Sequence, residues 1–375
     1  MAIRRLAAAF LAVGVAAFAS PAAADELTAA YARALANPAD SELSLQYALI
    51  AEGRHEYRKA LSAYERVLLN DPNNADAKRG LMRVRRIIQP ASTQIFAEAG
   101  GMWQSNPELV SSGASSDYVP YAQLRVKDER PIGGVRWRTI GSFYGEYFTE
   151  HHDLNYANAG IETGPLIDLG ATMLTLYPSI GASLSSSDNK FLYDEFNASA
   201  MLEGYLNGAY QWARIRTGYR DFAPSATSTS GWYVEGRGQW SFQNVFHDND
   251  VASIAPWVLW SEVGGSVTNL TPQTFSPGRY IDGGATLEYS KKLNDRLTLA
   301  LSVAASARHY TIDQNASGQN RQDYTVSPGA TLIFNNAFGV QSDLRLSYRY
   351  DHNWSNDTSH RYDAHTVMAS MVFRR

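Results

Sequence analysis

From about Thr93 to the C-terminus, stretch after stretch of the chain alternates apolar and polar residues. Leu297, Leu299, Leu301, Val303, Ala305 and Ala307 share one parity, and Thr298, Ala300, Ser302, Ala304, Ser306 and Arg308 share the other. Side chains in an extended strand point alternately to opposite faces, so this period places the two faces in unlike surroundings. The connections between stretches run short, then long, then short again. Tight turns on one side and longer loops on the other are the pattern of a membrane-spanning β-barrel. The expected fold class is therefore an all-β transmembrane barrel, in which half of every strand meets lipid.

Arginine assigns the faces. Ala213, Ile215, Thr217 and Tyr219 oppose Arg214, Arg216 and Arg220. Val135, Trp137, Thr139, Phe143 and Tyr147 oppose Arg136, Arg138, Ser142 and Glu146, and Leu344, Leu346, Tyr348 and Tyr350 oppose Arg345, Ser347, Arg349 and Asp351. A charge on the lipid face at mid-bilayer costs about 2–4 kcal/mol, so the arginines should point into the lumen. Arg125, Lys127, Arg136, Arg138, Arg214, Arg216, Arg345 and Arg349 form the candidate functional set. Two roles fit them. A basic lumen favours anionic or acidic passengers through its field; alternatively, the arginines pair with Glu146, Glu203 and Glu235 and brace the wall.

About fourteen strands are expected, or twelve or sixteen where neighbouring stretches merge or split, at about 93–105, 117–128, 134–149, 154–164, 170–184, 190–205, 209–222, 231–243, 251–262, 279–291, 296–310, 322–334, 338–350 and 361–373. Short turns fall at 130–133, 165–170, 206–208, 292–295 and 335–337, with Asn207-Gly208 suited to a type I′ hairpin. The longer connections fall at 106–116, 185–189, 223–230, 263–278 and 313–321. One short-side turn, 243–250, is longer than the pattern asks for. In the closing strand His365, Val367, Ala369, Met371 and Phe373 share a face. Val367, Ala369, Met371 and Phe373 give the aromatic-ended pattern expected of a strand that barrel-insertion machinery reads.

The first ninety residues read differently. Arg4 and Arg5, an apolar run from Leu6 to about Ala19, and Ala22-Ala23-Ala24 have the form of a cleavable signal peptide over residues 1–24. That places the chain outside the cytoplasm. Residues 25–90 carry Ala, Leu, Arg and Glu at helical spacing. The run Glu56 to Asn74 resembles the second helix of a tetratricopeptide repeat. In that resemblance Ala60 is the small residue at the helix crossing, Tyr64 fills the neighbouring groove and Pro72 stops the helix. Asn37-Pro38-Ala39-Asp40 and Asp71-Pro72-Asn73-Asn74 set the two prolines 34 positions apart, the period of that repeat. Residues 25–90 are thus expected to be a helical module facing the periplasm, and 91–375 the barrel.

Composition excludes several chemistries. There is no cysteine, hence no disulfide and no thiolate metal site. No run of about 18 apolar residues supports a membrane helix. A net charge of −4 and the absence of a basic tail argue against nucleic acid. No catalytic constellation, cofactor motif or metal motif stands out, so an enzyme is not expected. His151-His152-Asp153 reads as a solvated loop. Ser355, Asp357, His360 and Asp363 lie close in sequence but lack a nucleophile motif.

A periplasmic repeat module joined to a barrel of about fourteen strands resembles the surface lipoprotein assembly modifier (Slam) family. Gly101 to Pro107 and Ser347 to Asp357 carry the likeness alongside the arrangement. The resemblance implies an outer-membrane location in a Gram-negative envelope. It also implies translocation of a surface lipoprotein or secreted protein to the cell surface, with the helical module capturing substrate or partner. The expected partners are outer-membrane lipids, the barrel-insertion machinery and a periplasmic or surface protein substrate. An accessory barrel for exopolysaccharide export and a passive, porin-like or structural barrel are the alternatives.

Overall fold

The computed structural model describes residues 21–72, 74–88, 91–169, 174–206, 209–224, 228–265, 278–339 and 341–375. Residues 1–20 of the expected leader, the Asn207-Gly208 hairpin and most of the 263–278 loop lie outside them. The chain divides between Ile88 and Gln89 into two compact units.

The first unit holds helices α1 (Pro21–Ala36), α2 (Ser41–Gly53), α3 (Tyr57–Asn70) and α4 (Ala75–Ile88). Helix α1 ends before Asn37-Pro38 because a residue preceding proline is pushed out of the helical region. Asp40 then caps α2, its carboxylate accepting the N–H groups of Glu42 and Leu43 at 2.9 and 3.1 Å. The same logic ends α3 just before Asp71-Pro72. Asn70 at that end donates to the Pro38 carbonyl at 2.9 Å, tying together the two turns that look alike in sequence. The core is built from small residues, Ala30, Ala34, Ala48, Ala51, Ala60, Ala63 and Ala77, around Tyr47, Tyr64, Val67 and Val84. Tyr64 is wholly buried. Its ring lies against Gly80 so closely that a Cβ there would sit 2.1 Å from the ring tip.

The second unit is a closed antiparallel barrel. Its strands are β1 (Ser92–Gln104), β2 (Asp117–Ile132), β3 (Val135–Glu146), β4 (Tyr156–Asp168), β5 (Leu174–Ser187), β6 (Lys190–Leu206), β7 (Ala209–Phe222), β8 (Gly231–Gln243), β9 (Asp250–Gly265), β10 (Gly278–Asn294), β11 (Leu297–Gln314), β12 (Asn320–Phe334), β13 (Ser342–Ser355) and β14 (Tyr362–Arg374). Each pairs with its sequence neighbours. Pairing of β1 with β14, from Phe96 opposite Arg374 to Gln104 opposite Thr366, closes the ring. Closure leaves no strand edge unpaired, which is the requirement for spanning a bilayer with strands. Even the shortest strand, β3, has 12 residues, enough to cross at a tilt. A two-residue ribbon, Ser228–Thr229, adds to the end of β9.

The faces separate by parity. Leu124, Phe143, Ile161, Ile180, Phe196, Ile215, Val258, Ile281, Leu301, Leu332, Leu346 and Val367 are exposed and all point outward. Their neighbours on the other parity include the buried Glu98, Arg138, Glu195, Glu203, Arg220 and Asp351. An apolar surface continuous round a whole ring is far larger than a water-soluble monomer carries.

Strands β2, β4, β9, β10, β11 and β12 run longer than the sequence reading, β3 runs shorter, and two connections differ. Asp188 and Asn189, both at positive φ, turn β5 directly into β6, so the expected long connection at 185–189 is a tight hairpin. Conversely, the 335–337 turn extends to Gln341. There the Asn336 side chain accepts the Gln341 N–H and Asp343 accepts the Asn336 N–H. The long 243–250 turn is held by Asp250, whose carboxylate accepts three successive backbone N–H groups from Val245, Phe246 and His247. Gly133 and Gly134 take positive φ together between β2 and β3 and so supply the two-residue hairpin geometry there.

Candidate functional site

The inner wall is a continuous lattice of charge and tyrosine. Near the short-turn end, Arg138 holds Glu203 through two hydrogen bonds of 3.0 and 2.5 Å, and Glu129 through a third of 2.8 Å. Arg136 shares Glu129 at 3.1 Å, and the Tyr210 hydroxyl donates to Glu203. Paired guanidinium and carboxylate groups at such depth are stable only because each satisfies the other. Lys127 stands 3.9 Å from Glu129, and Arg345 stands 3.9 Å from Glu98. Arg125 lies on the same inward face, opposite Phe96 and Ser142, and is exposed.

Further round the ring, Glu195 gathers Arg220 at 2.7 Å, the Tyr233 hydroxyl at 2.7 Å, and Arg216. The Arg220 guanidinium lies between two rings, 4.9 Å from the centroids of both Tyr193 and Tyr233. Arg308 lies 4.4 Å above Tyr280 and bonds Asp282 at 2.8 Å. Arg321 lies 4.6 Å from Tyr310 and bonds Asp323 at 2.7 Å. A cation over an aromatic face keeps its charge where water is scarce.

This lattice surrounds a cavity of about 790 Å³. Seven arginines line it (Arg214, Arg216, Arg220, Arg237, Arg308, Arg321 and Arg349) against five carboxylates (Glu195, Glu235, Asp282, Asp323 and Asp351), a surplus of two positive charges. Asn106, Pro107 and Leu109, from the connection after β1, form part of the same lining. Asn106 is pinned there, donating to the carbonyls of Val110 at 2.8 Å and Asp363 at 3.2 Å while accepting the Val110 N–H.

All eight basic residues singled out from sequence lie on the inward parity, but they do not form one site. Arg214, Arg216 and Arg349 line the cavity; Arg136 and Arg138 belong to the carboxylate knot near the short turns. Of the three acidic partners expected, Glu203 binds Arg138 and Glu235 lies 3.7 Å from Arg214. Glu146 instead accepts the Tyr144 hydroxyl at 2.6 Å. The sequence reading missed Arg220, Arg237, Arg308 and Arg321 as site residues, together with the tyrosines stacked on the arginines. The signal for Arg237 was present, since Tyr233, Glu235 and Arg237 alternate inward on β8. Arg321 was placed in a connection, but β12 begins at Asn320.

One loop differs from expectation. His151 is latched, its Nδ1 3.0 Å from Asp117 and its Nε2 2.9 Å from the Ser115 hydroxyl. Asp117 also accepts the backbone N–H groups of Thr149, Glu150 and His151, so this cluster fastens the 149–151 segment onto β2. Ser355, Asp357, His360 and Asp363 do not converge. Asp357 binds His360 and Ser359, whereas Asp363 turns to Tyr350 and to His352 at 2.6 Å. Among the described residues no group of three or more His, Asp or Glu side chains is placed to hold a metal ion.

No family model matches the chain, and no curated protein matches it. Solved structures resemble it at low identity. A loop-deletion form of OmpT, an outer membrane protein of Vibrio cholerae, is 9% identical, with a TM-score of 0.39 over 76% of this chain and 100% of that one. A structure described as a bacterial polysaccharide outer membrane secretin is 12% identical, with a TM-score of 0.40 over 76% and 98%. The outer membrane channel DcaP of Acinetobacter baumannii is 11% identical, with a TM-score of 0.40 over 76% and 98%. The likeness is one of barrel architecture.

Proposed function

We propose that this protein is an outer-membrane barrel that passes a hydrophilic, acidic passenger outward, and that its helical unit docks the passenger or a partner on the periplasmic side. It acts by binding and passage, and no reaction is catalysed. The observation that carries the reading is the cationic surplus round the 790 Å³ cavity inside a ring whose exterior carries an apolar band on every side. Low-dielectric walls focus such a surplus into a field that attracts anions. A space of that size suits an extended chain or a small solute rather than a folded protein. Lipids of the outer membrane cover the apolar face, and the closing strand through Val367, Ala369, Met371 and Phe373 is the segment offered to insertion machinery.

Transfer of a surface lipoprotein or secreted protein is a second reading. What supports it is the helical unit, in which Ala60 and Tyr64 are buried in the core and α3 ends just before Asp71-Pro72.

Single-barrel recordings in planar bilayers test the leading reading. The expected result is a pore whose reversal potential in a salt gradient is anion-selective, with selectivity strongest at low ionic strength where screening is weak. A cation-selective pore, or a barrel that conducts nothing, contradicts it.

A further inference from the structure

Strand register sets Arg214 of β7 opposite Arg237 of β8, Arg237 opposite Trp257 of β9, and Trp257 opposite Gly284 of β10. These four inward positions form one row across the cavity wall. Each has a feature that the brace reading does not use. Arg214 makes no hydrogen bond to any described residue; its nearest carboxylates, Glu235 and Glu162, stand at 3.7 and 3.8 Å, beyond bonding distance. Arg237 gives only its Nε to Glu235, and its side chain is half exposed. Trp257 lies across Gly284, where a Cβ would come within 2.6 Å of the indole Cζ2. The missing side chain at Gly284 thus lets a large ring lie along the wall, beside two guanidinium groups with donors to spare.

We infer that this row is a binding subsite for an acidic sugar residue, a hexuronate unit of an oligosaccharide or polysaccharide. The inference rests on the passage reading above and names its passenger class. A planar carboxylate matches the paired donors of a guanidinium, the strongest geometry such groups offer each other. A pyranose presents a face of C–H groups carrying partial positive charge, and an indole presents the negative face of its π system. A hexuronate joins the two a few ångströms apart, which a bare anion or a neutral sugar does not. Glu235, bound to Arg237, keeps the local charge from rising so far that a polyanion would be trapped rather than passed.

The test is a titration of the purified full-length protein in detergent, followed by intrinsic tryptophan fluorescence and calorimetry. The ligands are a trimeric oligogalacturonate, a neutral glucose trimer of equal length, and acetate. The expected result is saturable binding of the oligogalacturonate only, with the fluorescence change absent in Trp257→Phe. Arg214→Gln and Arg237→Gln should each weaken it by roughly 10- to 100-fold, the range for losing a charge-assisted hydrogen bond. Each variant is first checked for a folded barrel by its heat-dependent gel mobility. Arg125→Gln, inward but outside the cavity lining, should bind as the wild type does. Equal binding of the neutral trimer, competition by acetate at equal concentration, or unchanged affinity in both folded arginine variants overturns the inference. An anion-selective pore with no oligogalacturonate binding sinks the inference alone. Binding without conductance leaves the subsite standing and removes the passage reading.

Discussion

Tyr64 and Glu52 fix the helical unit at the level of single atoms. The Tyr64 hydroxyl donates to Glu52 at 2.6 Å, and Arg83 closes on the same carboxylate at 2.6 Å. Burial pulls the Glu52 carboxyl upward, but the hydrogen bonds from Arg83 and Tyr64 outweigh it and hold the group below the usual glutamate value. A carboxylate lowered in the folded state contributes stability above its unfolded value, near 4.5, and loses that contribution as pH falls through the folded value. The temperature at which the helical signal of the full chain melts should therefore fall below about pH 4.5 in the wild type, and less so in Glu52→Gln. An identical pH profile in the variant would remove Glu52 from the account. Gly80→Ala forces a methyl group into the buried Tyr64 ring and should cost about 1–3 kcal/mol, read from the same melt. Tyr64 was legible from the repeat-like spacing, whereas Glu52, Arg83 and Gly80 were not. Their meeting depends on how α2, α3 and α4 cross, which no local pattern encodes.

Single strands carry the argument about solvent. Along β11, Leu301 and Val303 face outward while Ser302 and Ser306 face the interior, with Ser306 lining the cavity. Leu301→Arg should destabilise the folded barrel by about 2–4 kcal/mol, whereas Ser302→Arg one position along should cost far less. The denaturant midpoint for loss of the heat-resistant band measures both, and equal costs would mean that the two faces meet the same medium. Strand parity was readable because a two-residue period survives any small error in the ends. Strand ends were not. The hairpin at Asp188 and Asn189 and the extended turn at 335–341 depend on positive-φ residues and side-chain caps, which composition does not distinguish. The lumen divided in the same way. The inward direction of Arg138 or Arg214 follows from the cost of charge in lipid, but their partners come from strands far apart in sequence. Glu203 is 65 residues from Arg138, and only the closed ring brings them together.

At the scale of the molecule, an even strand count near fourteen, sequential pairing and closure between first and last were accessible from the alternation and from the requirement that both barrel ends return to one side. The distribution of charge within the lumen was not, since the arginines split between a paired knot and a cationic cavity that appears only once the wall is curved. Strands β1 to β14 enclose a polar interior and turn an apolar face to lipid. The native chain has no cysteine, so single cysteines report one site each without background. Cysteines placed one at a time at positions 301 to 306 of β11, in protein reconstituted into lipid vesicles, test the claim most directly. A membrane-impermeant maleimide should label positions 302, 304 and 306, and a lipid-dissolved quencher should reach a fluorophore attached at 301, 303 and 305. Labelling without a two-residue alternation, or a protein that stays folded in water and does not enter the vesicles, would contradict it.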